Sequence, residues 1–312
     1  MRIAVYGAGG VGGYFGGRLA RAGAEVHFIA RGAHLQALRE RGLRVRSVKG
    51  DFQAQVPTTD DPAEVGPCDV VLFCVKTFDT DAAAARLGPL VGEDTAVVSL
   101  QNGVENEEKL ARAVGEDHVM GGAAFIFAGI TEPGVIVHTG GPASITIGEL
   151  DGHVSHRAQR LLACCERAGF EAELSASIKT VLWGKLAFIC AQAGTTAAVR
   201  LPIGEIRTVD VTWEAFRRLV AEVCAVAEAD GNPVPPAAQQ RALALAQAIE
   251  PDSFSSLHDD LVAGRHMELE GLHGFVVRRA EKHGLAVPTT QAIYAILRPW
   301  AIRNQRASTE SA

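Results

Sequence analysis

The chain has no excess of positive charge, no long apolar run and no cysteine spacing of the metal-binding kind. Thirty Lys and Arg stand against 36 Asp and Glu, a formal net charge of −6. That balance leaves no electrostatic footprint for nucleic acid or an anionic membrane. No apolar stretch approaches the roughly 18 residues that suggest a membrane span. Strand-like sequence begins at Met1, without a basic n-region, an apolar h-region and a cleavage site, so no signal peptide is expected. The six cysteines, Cys68, Cys74, Cys164, Cys165, Cys190 and Cys224, include neither a C-x-x-C nor a zinc spacing. Reduced thiols in a cytoplasmic protein are the expectation. His258 and His266 also lack the spacing of a metal pair, so no metal is assigned. No internal repeat is visible.

What is present is an ordinary globular composition. Of the 312 residues, 47% are hydrophobic and 21% charged, enough to bury a sizeable core in one large domain or two of usual size. The first half alternates apolar runs with helical segments: Ile3 to Tyr6, Val26 to Ala30, Asp69 to Val75 and Thr95 to Leu100 read as buried strands. Such alternation implies βαβ units on a mostly parallel, doubly wound sheet. Gly134–His138 and Ser144–Ile147 flank Thr139-Gly-Gly-Pro142 and are expected to form an antiparallel edge hairpin. From Ile178 onward apolar residues recur at three- and four-residue steps, as in Phe216, Leu219, Val220 and Val223, which implies an all-helical second half. The expected division is residues 1–174, 175–303 and a polar tail over 304–312.

Gly7, Gly9 and Gly12 have G-x-G-x-x-G spacing between a strand and a helix, the context a dinucleotide-binding (Rossmann-type) loop requires. The first glycine permits the tight turn, the second lets the backbone approach a pyrophosphate, and the third lets helix and strand pack. The helix N-terminus then presents N–H groups and partial positive charge to the phosphates. The second strand ends in Arg31 where an NAD site normally places an acid for the ribose 2′-OH. Arg31 is either a solvated surface arginine or a bidentate partner for a 2′-phosphate, and the latter points to NADPH.

Ligands in open α/β sheets bind beyond the carboxyl ends of the strands. Lys76 and the Gln101-Asn102-Gly103 run occupy such positions, as ordinary turn residues or as contacts to cofactor and substrate. A carbonyl reductase must also neutralise the oxyanion formed by hydride addition, commonly with Lys, His or Tyr. Lys185 stands in the apolar helical stretch Leu182-Trp-Gly-Lys-Leu-Ala-Phe-Ile189, where it is exposed, paired or functional. Ser253-Phe-Ser-Ser-Leu-His-Asp-Asp260 and Gly264-Arg-His-Met-Glu268 form a second cluster. Its serines read as helix caps, and Glu268 reads equally as a first-turn carboxylate.

Taken together, Gly7-x-Gly-x-x-Gly12, Arg31, Cys74-Val-Lys76, Gln101-Asn-Gly103, Leu182-Trp-Gly-Lys185-Leu, Ser255-Ser256 with Asp260, and Gly264-Arg-x-x-Glu268 resemble the ketopantoate reductase (2-dehydropantoate 2-reductase) family over nearly the whole chain. The resemblance implies a Rossmann-type N-terminal domain, a helical C-terminal domain and an active site in the cleft between them. It implies NADPH-dependent reduction of 2-dehydropantoate to pantoate, a step of pantothenate biosynthesis. It also implies Lys185 as general acid, Glu268 beside it and the nicotinamide, and Asn102 and Ser256 in contact with cofactor or substrate.

The chain departs from the family pattern around the substrate. Asparagines that follow the family's lysine at the fourth and eighth positions are Ile189 and Ala193 here. Three further positions, two of them asparagine in the family and the third the asparagine of an Asn-Gly pair, read Ile203, Ser253 and His273. The shell is therefore less polar, or is rebuilt from Gln192, Thr195 or Thr196. A small 2-oxo acid is the expected partner, a homodimer is compatible with the apolar helices, and no nucleic acid or membrane partner is expected. The alternatives are a same-architecture NADPH reductase of a more apolar carbonyl compound and a non-catalytic NADPH-binding regulator. A regulator has no use for Lys185 and Glu268 at a nicotinamide.

Overall fold

A computed structural model of the chain describes residues 1–310. The first half builds β1 (Arg2–Tyr6), α1 (Gly10–Arg21), β2 (Glu25–Ile29), α2 (Gly32–Arg41), β3 (Leu43–Ser47), β4 (Phe52–Ala54) and β5 (Thr58–Thr59). There follow β6 (Val70–Phe73), α3 (Thr80–Ala84), β7 (Ala96–Ser99), α4 (Asn106–Val114), β8 (Val119–Glu132), β9 (Val135–Glu149), α5 (His156–Arg167) and β10 (Ala172–Leu174). The second half contains α6 (Ile178–Val199), α7 (Ile203–Thr208), α8 (Asp210–Ala229), α9 (Pro236–Ala248), α10 (Ser256–Val262), a π-helical turn over Glu270–Gly274, α11 (Phe275–Lys282) and α12 (Pro288–Glu310). The described residues form two compact units, one of Met1–Gln101 with Asn106–Ile178, the other of Asn102–Glu105 with the residues from Lys179 onward.

The first unit is an α/β sheet in the order β4-β3-β9-β8-β7-β6-β1-β2-β5, with β10 beside β9. Strands β5, β2, β1, β6, β7 and β8 run parallel in sequence of neighbours. Alternate residues of β1 enter different cores: Ile3 and Val5 pack with Phe15, Leu19 and Phe28, while Ala4 and Tyr6 pack with Val71, Phe73 and Leu87. Period-two side chains buried on both faces are the mark of a sheet covered by helices on each side. Helix α1 lies close to the sheet because its inner positions are small: a Cβ on Gly16 would stand 2.6 Å from the Phe28 ring.

Two expectations from the sequence need correction. The segments expected over Gly134–His138 and Ser144–Ile147 are not two strands of an edge hairpin: from Val135 onward both belong to one long strand, β9. It pairs antiparallel with β8 from Met120↔Glu149 to Glu132↔Val135 and lies inside the sheet, flanked by β3 and β10. The chain turns at Pro133-Gly134 instead, where Gly134 has φ +84°. Thr139 to Pro142 falls where the register shifts, between Phe127↔Gly140 and Phe125↔Ser144. Gly141 (φ +82°) and Ala143 (φ +52°) absorb the extra residues as a bulge.

The second correction concerns the polar tail expected from Asn304, which is helical as far as Glu310. Leu297 and Ala301 bury one face of α12, and the Asn304 amide donates to the carbonyls of Asp260, Leu261 and Arg265. Those bonds tie α12 to the last turn of α10 and to the residues that follow it. Ser311 and Ala312 lie outside the described residues.

Candidate active site

In the first unit the loop from β1 into α1 has the geometry of a dinucleotide cradle. Gly7 has φ +100°, a left-handed conformation open to glycine, and its N–H donates to Ile29 O at 2.9 Å. A Cβ there would stand 2.9 Å from Cys74 C, the backbone of the neighbouring β6 edge. A Cβ on Gly12 would run into the Gly7 carbonyl oxygen, so that glycine closes helix against strand. Gly9 faces open space, with no atom within 4 Å of where a Cβ would lie. No acid stands in the first turn of α1 and no side chain caps it. The exposed N–H groups and helix dipole therefore suit a pyrophosphate. The residues present fit a dinucleotide.

Two side chains brace this loop. His34, on α2, has Nε2 2.8 Å from Ala8 O and accepts at Nδ1 from Gly134 N–H at 3.0 Å. Nδ1 is thus the bare nitrogen and Nε2–H the donor, which fixes a neutral tautomer. Burial also pulls the His34 pKa below the ordinary imidazole value. One ring ties the glycine loop, α2 and the β8–β9 turn together. Gln101, buried after β7, donates from Nε2 to Val75 O (2.9 Å) and Thr80 Oγ1 (2.8 Å), holding the loop that carries Lys76. The sequence assigns His34 no role and Gln101 only a place in the Gln101-Asn102-Gly103 run, because their partners are distant in the chain.

Arg31 caps α2 from an extended conformation, its side chain 80% exposed. Its Nη2 donates to Asp79 Oδ2, and Asp79 N–H in turn donates to Lys76 O at 2.9 Å. The structure so brings Arg31 to the turn that begins at Lys76, through an acid that the sequence did not single out. Lys76 itself is exposed. Burial pushes the Cys74 thiol far above its usual range, which makes it a packing residue and not a nucleophile.

The other candidates share the second unit. Lys185 is half-buried on α6, with Leu182, Trp183, Leu186 and Ala187 beside it nearly inaccessible. A helix buried this extensively is a central one, and of its two lysines Lys179 is exposed while Lys185 is half-buried. Glu268 is 7% exposed between Met267 and Leu269, which pack with Ala193 and Ala197 of α6 and Leu257 of α10. Ser255 caps α10 by accepting from His258 N–H, and its Oγ lies 2.9 Å from Thr196 Oγ1 on α6. Ser256 is the exposed first residue of α10. Asn102 is half-buried in the short stretch that belongs to this unit, where Glu105 lies 3.9 Å from Arg278, itself 3.0 Å from Glu270.

The departures from the family pattern also have a place. Ala193 is buried in the apolar cluster with Leu257, Met267 and Leu269, and Ile189 packs against it. Ile203 is fully buried, its N–H donating to Ser253 O at 3.0 Å. His273, in the π-helical turn, is fully buried with Nε2 2.9 Å from Cys190 O, and Gly194 leaves room for the ring. Arg265 of the Gly264-Arg-x-x-Glu268 motif pairs with Asp260 at 2.8 Å, a structural clasp. Among the described residues no group of three or more His, Cys, Asp or Glu is arranged to hold a metal ion, and no helix is long and apolar enough to cross a membrane.

Both units have counterparts among known proteins. The family model described as "Ketopantoate reductase PanE/ApbA" matches residues 3–152, and its C-terminal counterpart matches 177–301. The chain belongs to the ketopantoate reductase family. It is an oxidoreductase that uses a nicotinamide dinucleotide, NADPH or NADH. A 2-dehydropantoate 2-reductase of Halobacterium salinarum is 34% identical over 96% of this chain and 98% of its own length. An uncharacterized oxidoreductase of Bacillus subtilis, YkpB, is 31% identical over 95% and 98%. The crystal structure of a PanE/ApbA family ketopantoate reductase from Ralstonia eutropha JMP134 has a TM-score of 0.89 at 34% identity, covering 98% of this chain and all of that one. A D-mandelate dehydrogenase has the same fold at TM-score 0.90 but only 21% identity, over 98% and 99% of the two chains.

Proposed function

We propose that this family member reduces a 2-oxo acid with NADPH, with 2-dehydropantoate as the first-choice substrate and pantoate as the product. The observation that carries the reading is Lys185, a cation half-buried on α6 among the nearly inaccessible Leu182, Trp183, Leu186 and Ala187. NADPH, when bound, supplies the hydride that adds to the C2 carbonyl carbon. Lys185 donates a hydrogen bond to the carbonyl oxygen and passes its Nζ proton to the forming alkoxide, giving the hydroxyl; solvent reprotonates the amine. In this reading Glu268 is the carboxylate beside Lys185 and the nicotinamide, and Asn102 and Ser256 contact cofactor or substrate. Gly7, Gly9 and Gly12 cradle the pyrophosphate, and Lys76 serves the cofactor from the adjacent strand end. Arg31 pairs with the 2′-phosphate and so selects NADPH.

A second reading has an observation of its own. Ile189 and Ala193 give the chain apolar contacts where the family has asparagines, and each buried hydrogen-bond partner lost costs on the order of 1–3 kcal/mol. A less polar 2-oxo acid fits such a shell. One assay separates the readings: NADPH oxidation with 2-dehydropantoate and a panel of 2-oxo acids, for wild type and Lys185→Ala. The expected loss in Lys185→Ala is roughly 10²- to 10⁴-fold in kcat, with NADPH binding retained. A 2-dehydropantoate rate far below that of another acid would shift the assignment to that acid. Cofactor binding without turnover of any acid would indicate a regulator.

A further inference from the structure

Gln192 is 4% exposed, and its Nε2 is buried with no hydrogen-bond partner among the described residues. A buried amide donor without an acceptor is costly and rare, so it calls for a physical account. Its polar neighbours on α6 do not share this condition. Thr195 Oγ1 donates to Ala191 O at 2.7 Å, and Thr196 Oγ1 donates to Gln192 O at 2.7 Å while also meeting Ser255. His273 Nδ1 is likewise buried and unpartnered. Its ring, however, contacts Cys190 and stands against Gly194, a position about 180° around α6 from Lys185.

Helix geometry places Gln192 differently. At 100° per residue it comes about 20° from Lys185 around α6 and roughly 10 Å farther along the axis, whereas Ala193 comes about 80° away. Long helical side chains lean toward the N-terminus, which for Gln192 is toward Lys185. The chain thus carries an amide on the Lys185 stripe, one residue before the position where Ala193 carries none.

We propose that Gln192 is a specificity-determining residue for the reduction proposed above, on which this inference rests. Its Nε2–H donates to an oxygen on C4 of a 2-oxo acid whose C2 carbonyl is held by Lys185. Two hydrogen bonds of about 2.9 Å and the ~4–5 Å between oxygens on C2 and C4 span roughly 10 Å, which matches the offset of the two side chains along the helix. The preferred substrates are 4-hydroxy or 4-oxo 2-oxo acids, and unsubstituted aliphatic ones leave the amide unsatisfied.

The test uses a pair of acids that differ by one hydroxyl, 2-dehydropantoate and 3,3-dimethyl-2-oxobutanoate, with the full-length protein and NADPH. Wild type is expected to favour the hydroxylated acid by roughly 10- to 100-fold in kcat/KM. Gln192→Leu and the volume-matched Gln192→Met should bring the ratio to within about threefold of unity, while kcat/KM for the unhydroxylated acid stays within about threefold of wild type. Circular dichroism and thermal melts identify a variant that fails to fold. Calorimetric binding of pantoate and of 2-hydroxy-3,3-dimethylbutanoate to the NADP⁺-loaded protein gives the same ratio without turnover. An unchanged ratio in both variants, an equal loss on both acids, or no preference in wild type overturns the assignment of Gln192 and leaves the reductase reading intact. Reduction of neither acid by wild type overturns both.

Discussion

In the proposed reading, cofactor selection turns on the Arg31–Asp79 pair. Arg31 is 80% exposed and Asp79 26%, so their ion pair lies in water-like dielectric and contributes only about 0.2–1 kcal/mol. A guanidinium bound bidentately to a 2′-phosphate makes charge-assisted hydrogen bonds of roughly 1.5–3 kcal/mol. The phosphate therefore wins the competition for Arg31, with Asp79 as a modest brake. Arg31→Ala should weaken NADPH binding by about 10- to 150-fold and leave NADH within about threefold. Asp79→Asn removes both the competitor and a negative charge near the phosphate, and should tighten NADPH by roughly two- to tenfold, less at high salt. Fluorescence titration of both reduced cofactors at low salt and at about 0.5 M salt measures four constants for each protein. An unchanged NADPH/NADH ratio in Arg31→Ala, or an Asp79→Asn protein that shifts toward NADH, would refute the reasoning.

Other perturbations follow from the same geometry. Burial depresses the His273 pKa to about 4, so as pH falls below the ordinary imidazole value of about 6.5 the unfolded chain takes up the proton first. Stability from this site is complete above that value and is lost at about 1.4 kcal/mol per pH unit down to about 4; His273→Asn should flatten the acid limb of a denaturant-melt series, although His34 and His138, also lowered by burial, retain part of it. His34→Ala leaves Gly134 N–H and Ala8 O without their partner and should cost roughly 1–3 kcal/mol of stability, with weaker dinucleotide binding; thermal melts and cofactor titration read the two effects. Ser255→Ala removes a helix cap and the partner of Thr196, an expected loss of about 1–2 kcal/mol, and a melting temperature equal to wild type would count against that cap.

The glycine loop was legible because its glycines answer local demands: a positive φ at Gly7 and contact between Gly12 and the Gly7 carbonyl arise within a few residues of chain. The central helix around Lys185 was legible for a similar reason, since a long apolar helical run carries its own periodicity. The β8–β9 hairpin was not. Much of β8, including Val119 to Ala124, is buried and has no period-two alternation to betray it, and the bulge in β9 carries the Gly-Gly-Pro signature of a turn.

By itself, then, the sequence determined what its short-range chemistry could enforce: a glycine-rich turn between strand and helix, a parallel αβ start, a helical second half and a lysine set among apolar neighbours. Tertiary structure alone decided which polar groups are satisfied. It gave Arg31 an acidic neighbour from 48 residues away, made His34 the brace of the glycine loop, consumed Thr195 and Thr196 in backbone bonds, and left the Gln192 amide nitrogen buried without a partner among the described residues. Hydrogen-bond satisfaction depends on groups brought together from distant parts of the chain, and no local pattern encodes it.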